Sequence, residues 1–101
     1  MAVTSEMSKD GSELVISIAG RFDFGSHQDF REAYERQPAK PGLITVDLAS
    51  ATYLDSSALG MLLLLRDHSG GDKGKVRLIN SSPDVRKILA ISNFDKLFDI
   101  A

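Results

Sequence analysis

The stretch from Leu43 to Asn80 carries strand, helix and strand signals in that order, and this constrains the fold more than any other feature. Leu43 to Leu48 reads as a strand with Ile44, Val46 and Leu48 on one face. A loop from Ala49 to Leu54 follows, then a helix from about Ser56 to His68, ended by Ser69-Gly70-Gly71. Lys75 to Asn80 reads as the next strand, with Val76 and Leu78 opposite Arg77. Two strands joined by a helix make a parallel crossover. The strands alternate instead of running continuously apolar. That predicts a sheet with helices mainly on one face and partial exposure on the other.

The flanks extend this unit. Leu14, Ile16 and Ile18 line one face of a strand, and a shorter strand around Val3 to Ser8 pairs with it through Lys9-Asp10-Gly11. Ser26 reads as the N-cap of a helix with Asp29 in a capping-box position. Phe30, Ala33 and Tyr34 form its apolar face, and Pro38 and Pro41-Gly42 stop it. Ser82-Pro83 opens a further helix, with serine as cap and proline in the first turn, where its missing N–H costs nothing. Val85, Ile88 and Leu89 make its inward stripe, and Phe94 to Ile100 returns as a short edge strand. The expected order is β-β-α-β-α-β-α with a short terminal β, a two-layer α/β domain with a mixed sheet.

Bulk properties narrow the function. A chain of 101 residues with 43% apolar content suits one domain spanning residues 1–101. A net charge of −2 with both signs interspersed argues against nucleic acid and against an anionic membrane surface. The absence of cysteine excludes disulfides and thiolate metal sites. The N-terminus has no basic-then-apolar targeting pattern, and the longest apolar run, Met61 to Leu65, is far too short to span a bilayer. The expected setting is the cytoplasm. His27 and His68 show no metal-ligand spacing. No cofactor is expected.

The informative segment is Thr52-Tyr53-Leu54-Asp55-Ser56-Ser57-Ala58-Leu59-Gly60, at a strand-to-helix junction. Ser56 and Ser57 fall at a helix N-terminus, where free N–H groups and the helix dipole favour an anion. Read bare, both serines are also good helix caps, and Asp55 is a charge suited to the first turn. Ala58, Met61, Leu62 and Leu65 form the stripe expected to face the sheet. Leu59, Leu63 and Leu64 lie off it, which leaves core and docking surface both open for Leu63 and Leu64 and favours docking for Leu59. Phe22 and Phe24 alternate at a strand end, so one is expected inside and the other exposed. Gly70 to Lys75 lacks the spacing of a phosphate loop and precedes a strand, so it reads as a turn.

The chain resembles the STAS family of anti-sigma factor antagonists over nearly its whole length. Asp55-Ser56-Ser57-Ala58-Leu59-Gly60 is similar to the family's Asp-Ser-Ser-Gly-Leu-Gly, and Gly20-Arg21-Phe22-Asp23 to its Gly-x-Leu/Phe-Asp. Ser82 to Leu89, with Phe94 and Leu97 after it, is the third matching segment. The resemblance implies that Ser56 is phosphorylated and that Asp23 lies near it. It implies a partner surface of Asp23, Phe24, Asp55, Ser57, Leu59 and Leu63. It implies as partners an anti-sigma factor with serine kinase activity and a cognate phosphatase. The segments Arg21 to Gln28 and Tyr53 to Leu65 look like a branch tied to motility and biofilm control in gamma-proteobacteria, in which one response regulator carries both functions. Ala58 departs from the family's glycine and favours a firmer helix start by about 1 kcal/mol. Catalysis is not expected, because Ser56 lacks the Gly-x-Ser-x-Gly context and no cue places a histidine beside it. A STAS subunit of a lipid or solute ABC transport system is the alternative on the same fold.

Overall fold

A computed structural model describes residues 3–37, 41–71 and 75–101. The β1 strand (Val3–Met7) and the β2 strand (Glu13–Phe22) form an antiparallel hairpin in which Val3 faces Ile18 and Met7 faces Leu14. The turn follows from Asp10. Its carboxylate accepts bonds from the Ser12 hydroxyl at 2.7 Å, the Ser12 N–H at 3.0 Å and the Ser8 hydroxyl at 2.8 Å. These bonds, the Ser12 hydroxyl first, pull its pKa down to about 2.

The α1 helix (His27–Glu35), β3 strand (Leu43–Leu54), α2 helix (Ser56–His68), β4 strand (Val76–Ile79), α3 helix (Pro83–Ile91) and β5 strand (Asp99–Ile100) follow. The sheet order is β1-β2-β3-β4-β5, parallel from β2 onward. Register places Leu14 beside Ile44 and Val76, and Ile16 beside Val46 and Leu78. These residues are buried in one core with Phe30 and Tyr34 of α1, Met61, Leu62 and Leu65 of α2, and Val85 and Leu89 of α3. The opposite sheet face carries Thr4, Glu6, Ser17, Asp47 and Arg77, exposed or half-buried. Thr45 is buried on that face and donates to Glu13 at 2.7 Å. This is the expected two-layer α/β architecture.

Four local expectations are corrected. Residues 49–54 are strand, not loop, because β3 continues to Leu54. The register between β2 and β3 shifts twice, between Ser17 and Ala19 and between Gly20 and Arg21, each time with one extra residue on β3. The bulges change the spacing of buried residues to Leu48, Ala51 and Leu54, so the alternation is lost while the pairing persists. Gly20 allows this at φ +77, a conformation costly for any other residue. Ser26 precedes α1, but its side chain makes no cap bond. It is buried at the end of a single 3-10 turn, Phe24–Ser26, so no capping box with Asp29 forms. The return from Phe94 begins as a 3-10 turn, and only Asp99–Ile100 is strand. Ser56 and Ser57 do not cap α2, since Asp55 does. Ser82 caps α3 as expected, accepting from the Val85 N–H at 3.3 Å with Pro83 in the first turn. The expected helix stop at Pro38 and the middle of the expected turn, residues 72–74, lie outside the described residues.

Candidate functional site

The site forms where two neighbouring parallel strands end. Phe22 and Leu54 are paired and fully buried, and they anchor the last residues of β2 and β3 side by side. The Asp55 N–H donates to the Phe22 carbonyl at 3.3 Å, so Asp23 and Asp55 emerge together at one end of the sheet.

Asp55 turns the chain into α2. Its backbone is extended, and its carboxylate accepts from the Ala58 N–H at 2.8 Å. The first intrahelical bond runs from the Leu59 N–H to the Asp55 carbonyl. Aspartate both satisfies an orphan donor and puts negative charge at the positive end of the dipole. Ser56 is therefore the first residue of the helix and is exposed, while Ser57 is half-buried. With Asp55 holding one N–H, the anion site at this terminus is already partly filled. The Ala58 methyl is fully buried, so the departure from glycine also adds packing.

Asp23 mirrors Asp55. Its carboxylate accepts from the Gly25 N–H at 3.0 Å and lies 3.6 Å from the Arg21 guanidinium. Arg21 in turn stacks over the Tyr53 ring at 4.6 Å. Phe22 is inside and Phe24 outside, 71% exposed and stacked on His27. Along α2, Ser56, Leu59 and Leu63 share a face by helical spacing. Leu59 is half-buried against the core, whereas Leu63 and Leu64 are exposed. The two leucines left open by the sequence, Leu63 and Leu64, belong to the surface, while Leu59, favoured for docking, packs partly against the core.

The matching family model, described as Mlab, STAS domain, covers residues 5–99. The chain belongs to the STAS domain family. A STAS-domain containing protein of Pseudomonas aeruginosa is 65% identical to this STAS domain over 101 residues, the full length of both. The anti-sigma factor antagonist SpoIIAA in its unphosphorylated form superposes with a TM-score of 0.73 at 22% identity, over 99% of this chain and 87% of that one. A sulfate transporter family protein from Wolinella succinogenes superposes with a TM-score of 0.75 at 12% identity, over 93% of this chain and 80% of that one. At these identities the two solved structures bear on the fold alone.

Of the residues expected at the STAS site, Asp23, Asp55, Ser56 and Ser57 converge at one end of the sheet. Leu63 extends the surface two turns along α2, roughly 10 Å at the helical rise. Sequence reasoning missed Arg21 and Tyr53. They stand side by side only because of the second register shift, and no periodicity announces that pairing. Gly60, the last residue of the Asp55–Gly60 motif, is exposed at mid-helix, where an added Cβ would meet nothing within 4 Å. Glycine there weakens the helix, and that cost was a readable signal. Among the described residues no cluster has the makeup of a metal site, and no helix is long and apolar enough to cross a membrane.

Proposed function

We propose that this STAS domain is a phosphorylation-switched binding module, an anti-sigma factor antagonist acting in the cytoplasm with Ser56 as the phosphoacceptor. The observation that carries the reading is the placement of Ser56. It is exposed at the first position of α2, directly after the capping Asp55, at the sheet end where Asp23 also emerges and on the helix face that exposed Leu63 continues. Unmodified, the surface of Asp23, Phe24, Asp55, Ser57, Leu59 and Leu63 binds a kinase-fold anti-sigma factor. A cognate phosphatase resets the switch, and in the motility-linked branch one response regulator carries both functions.

A phosphate on Ser56 adds about −1.5 to −2 charges at neutral pH. Asp55 already holds the Ala58 N–H, so the phosphate finds only part of the helix terminus free. It therefore projects outward, into a contact that is apolar at Phe24 and Leu63 and already acidic at Asp23 and Asp55. Desolvation and like-charge repulsion act on the complex rather than on the fold. A loss of about 3 kcal/mol weakens binding roughly a hundredfold, so no refolding is required.

The test is capture of partners from the native cell by the unmodified protein, Ser56→Ala and Ser56→Asp, with phosphosite mapping. Ser56→Ala retains the partner constitutively and Ser56→Asp releases it. Equal binding by the phosphorylated and unmodified forms overturns the switch. A second reading, a subunit of an ABC transport system, is favoured by the Mlab description of the family model and by the transporter-family neighbour. Capture of an ABC ATPase in place of a kinase-fold protein decides for it.

A further inference from the structure

A groove of about 420 Å³ runs between α1 and α2. Phe30, Tyr34 and Met61 form its buried apolar floor, and Leu64, Glu35 and Asp67 line it together with the basic His27, Arg31 and His68. Glu35 is bonded to Arg31 at 3.0 Å. The Asp67 carboxylate is exposed and has no hydrogen bond or ion pair among the described residues. It also lies in the last turn of α2, where a negative charge opposes the helix dipole. Arg66 and His68 flank it in sequence within that turn.

The complementary surface is on α3. Val85 and Leu89 are fully buried, and the outward side carries Lys87, Ala90 and Ile91. Ile91 is 72% exposed, the most exposed large apolar residue of the described chain. Lys87 is one turn before it on the same face, with no ion pair among the described residues. An apolar knob with a cation one turn away therefore matches an apolar groove whose rim holds an exposed carboxylate without a bond among the described residues. In the single chain they stay apart, since Ile91 is open to solvent.

We propose that the α1–α2 groove receives α3 of a second copy of this chain, with Ile91 on the Phe30–Tyr34–Met61 floor and Lys87 beside Asp67. Because the two patches differ, the contact is head-to-tail. Each added copy leaves one knob and one groove free, so assembly continues as a chain or closes into a ring. A single groove of this size offers only a small contact, so association is weak and driven by concentration. The proposal does not use Ser56 and stands or falls independently of the switch.

Sedimentation velocity on the full chain tests it, between about 0.02 and 1 mM, a range suited to so small a contact. The wild-type sedimentation coefficient rises with concentration. Ile91→Asp keeps its groove but loses its knob, and Asp67→Lys keeps its knob but loses the groove acid. Each variant alone stays monomeric, while an equimolar mixture forms a one-to-one dimer. A wild type monomeric throughout, a mixture no larger than its components, or Ile91→Asp associating like the wild type overturns the proposal. A dilution series of the wild type by NMR gives a readout without substitutions. Amide shifts of Tyr34, Leu64 and Ile91 move together as copies separate, and invariant shifts overturn the inference.

Discussion

The two faces of α2 use the same residue type to opposite ends. Leu62 and Leu65 are fully buried against the sheet, whereas Leu63 and Leu64 are 38% and 54% exposed. The inward face is explained by the fold. The outward face is not, because folding alone is better served there by polar residues. The same face holds exposed Ser56 and Gly60, the latter weakening the helix without an internal contact to justify it. The difference separates residues that hold the domain together from residues that the fold does not require.

Four substitutions sharpen or break this division. Leu62→Ala leaves a cavity in the core and costs about 2–5 kcal/mol, read from the denaturant midpoint. A cost near zero means the inward face is not packed as described. Asp55→Ala removes the cap on the Ala58 N–H and costs about 1 kcal/mol. That is a fall in Tm of roughly 4–8 °C for a domain of this size, and an unchanged melt would show that Asp55 does not hold the helix start. Gly60→Ala raises stability by up to about 1 kcal/mol while weakening capture of the switch partner. A stabilised variant that binds at full strength shows that the exposed glycine is not needed for partner contact. Leu63→Ala changes stability by less than about 0.5 kcal/mol and reduces partner binding. A stability loss like that of Leu62→Ala would place Leu63 in the core.

The two starts of α1 and α2 show how far local signals reach. Ser26 and Ser56 both look like caps in the sequence. At α1 the serine is buried and makes no cap bond, because a 3-10 turn capped by Asp23 leads into the helix. At α2 the aspartate one residue earlier takes the role and frees Ser56 for the surface. At α3 the serine caps as expected, with Pro83 fixing the entry. Serine and aspartate compete for the same orphan donors. Which of them caps differs among the three helix starts, although all three sequences offer a serine there.

From the sequence alone came the strands through Leu14, Val46 and Leu78, the bounds of α2, its inward stripe, the Asp10 turn, the cap at Ser82 and Ser56 at a helix start. Each depends on neighbours a few residues away, through hydrogen bonds and side-chain periodicity that local chain geometry fixes. Tertiary structure alone decided the extension of β3 to Leu54, the meeting of Arg21 with Tyr53, and the exposure of Leu63 and Leu64. Those features arise from pairing β2 with β3 across two bulges and from which helix faces the neighbouring elements cover. Contacts between residues distant in the chain leave no periodic trace along it.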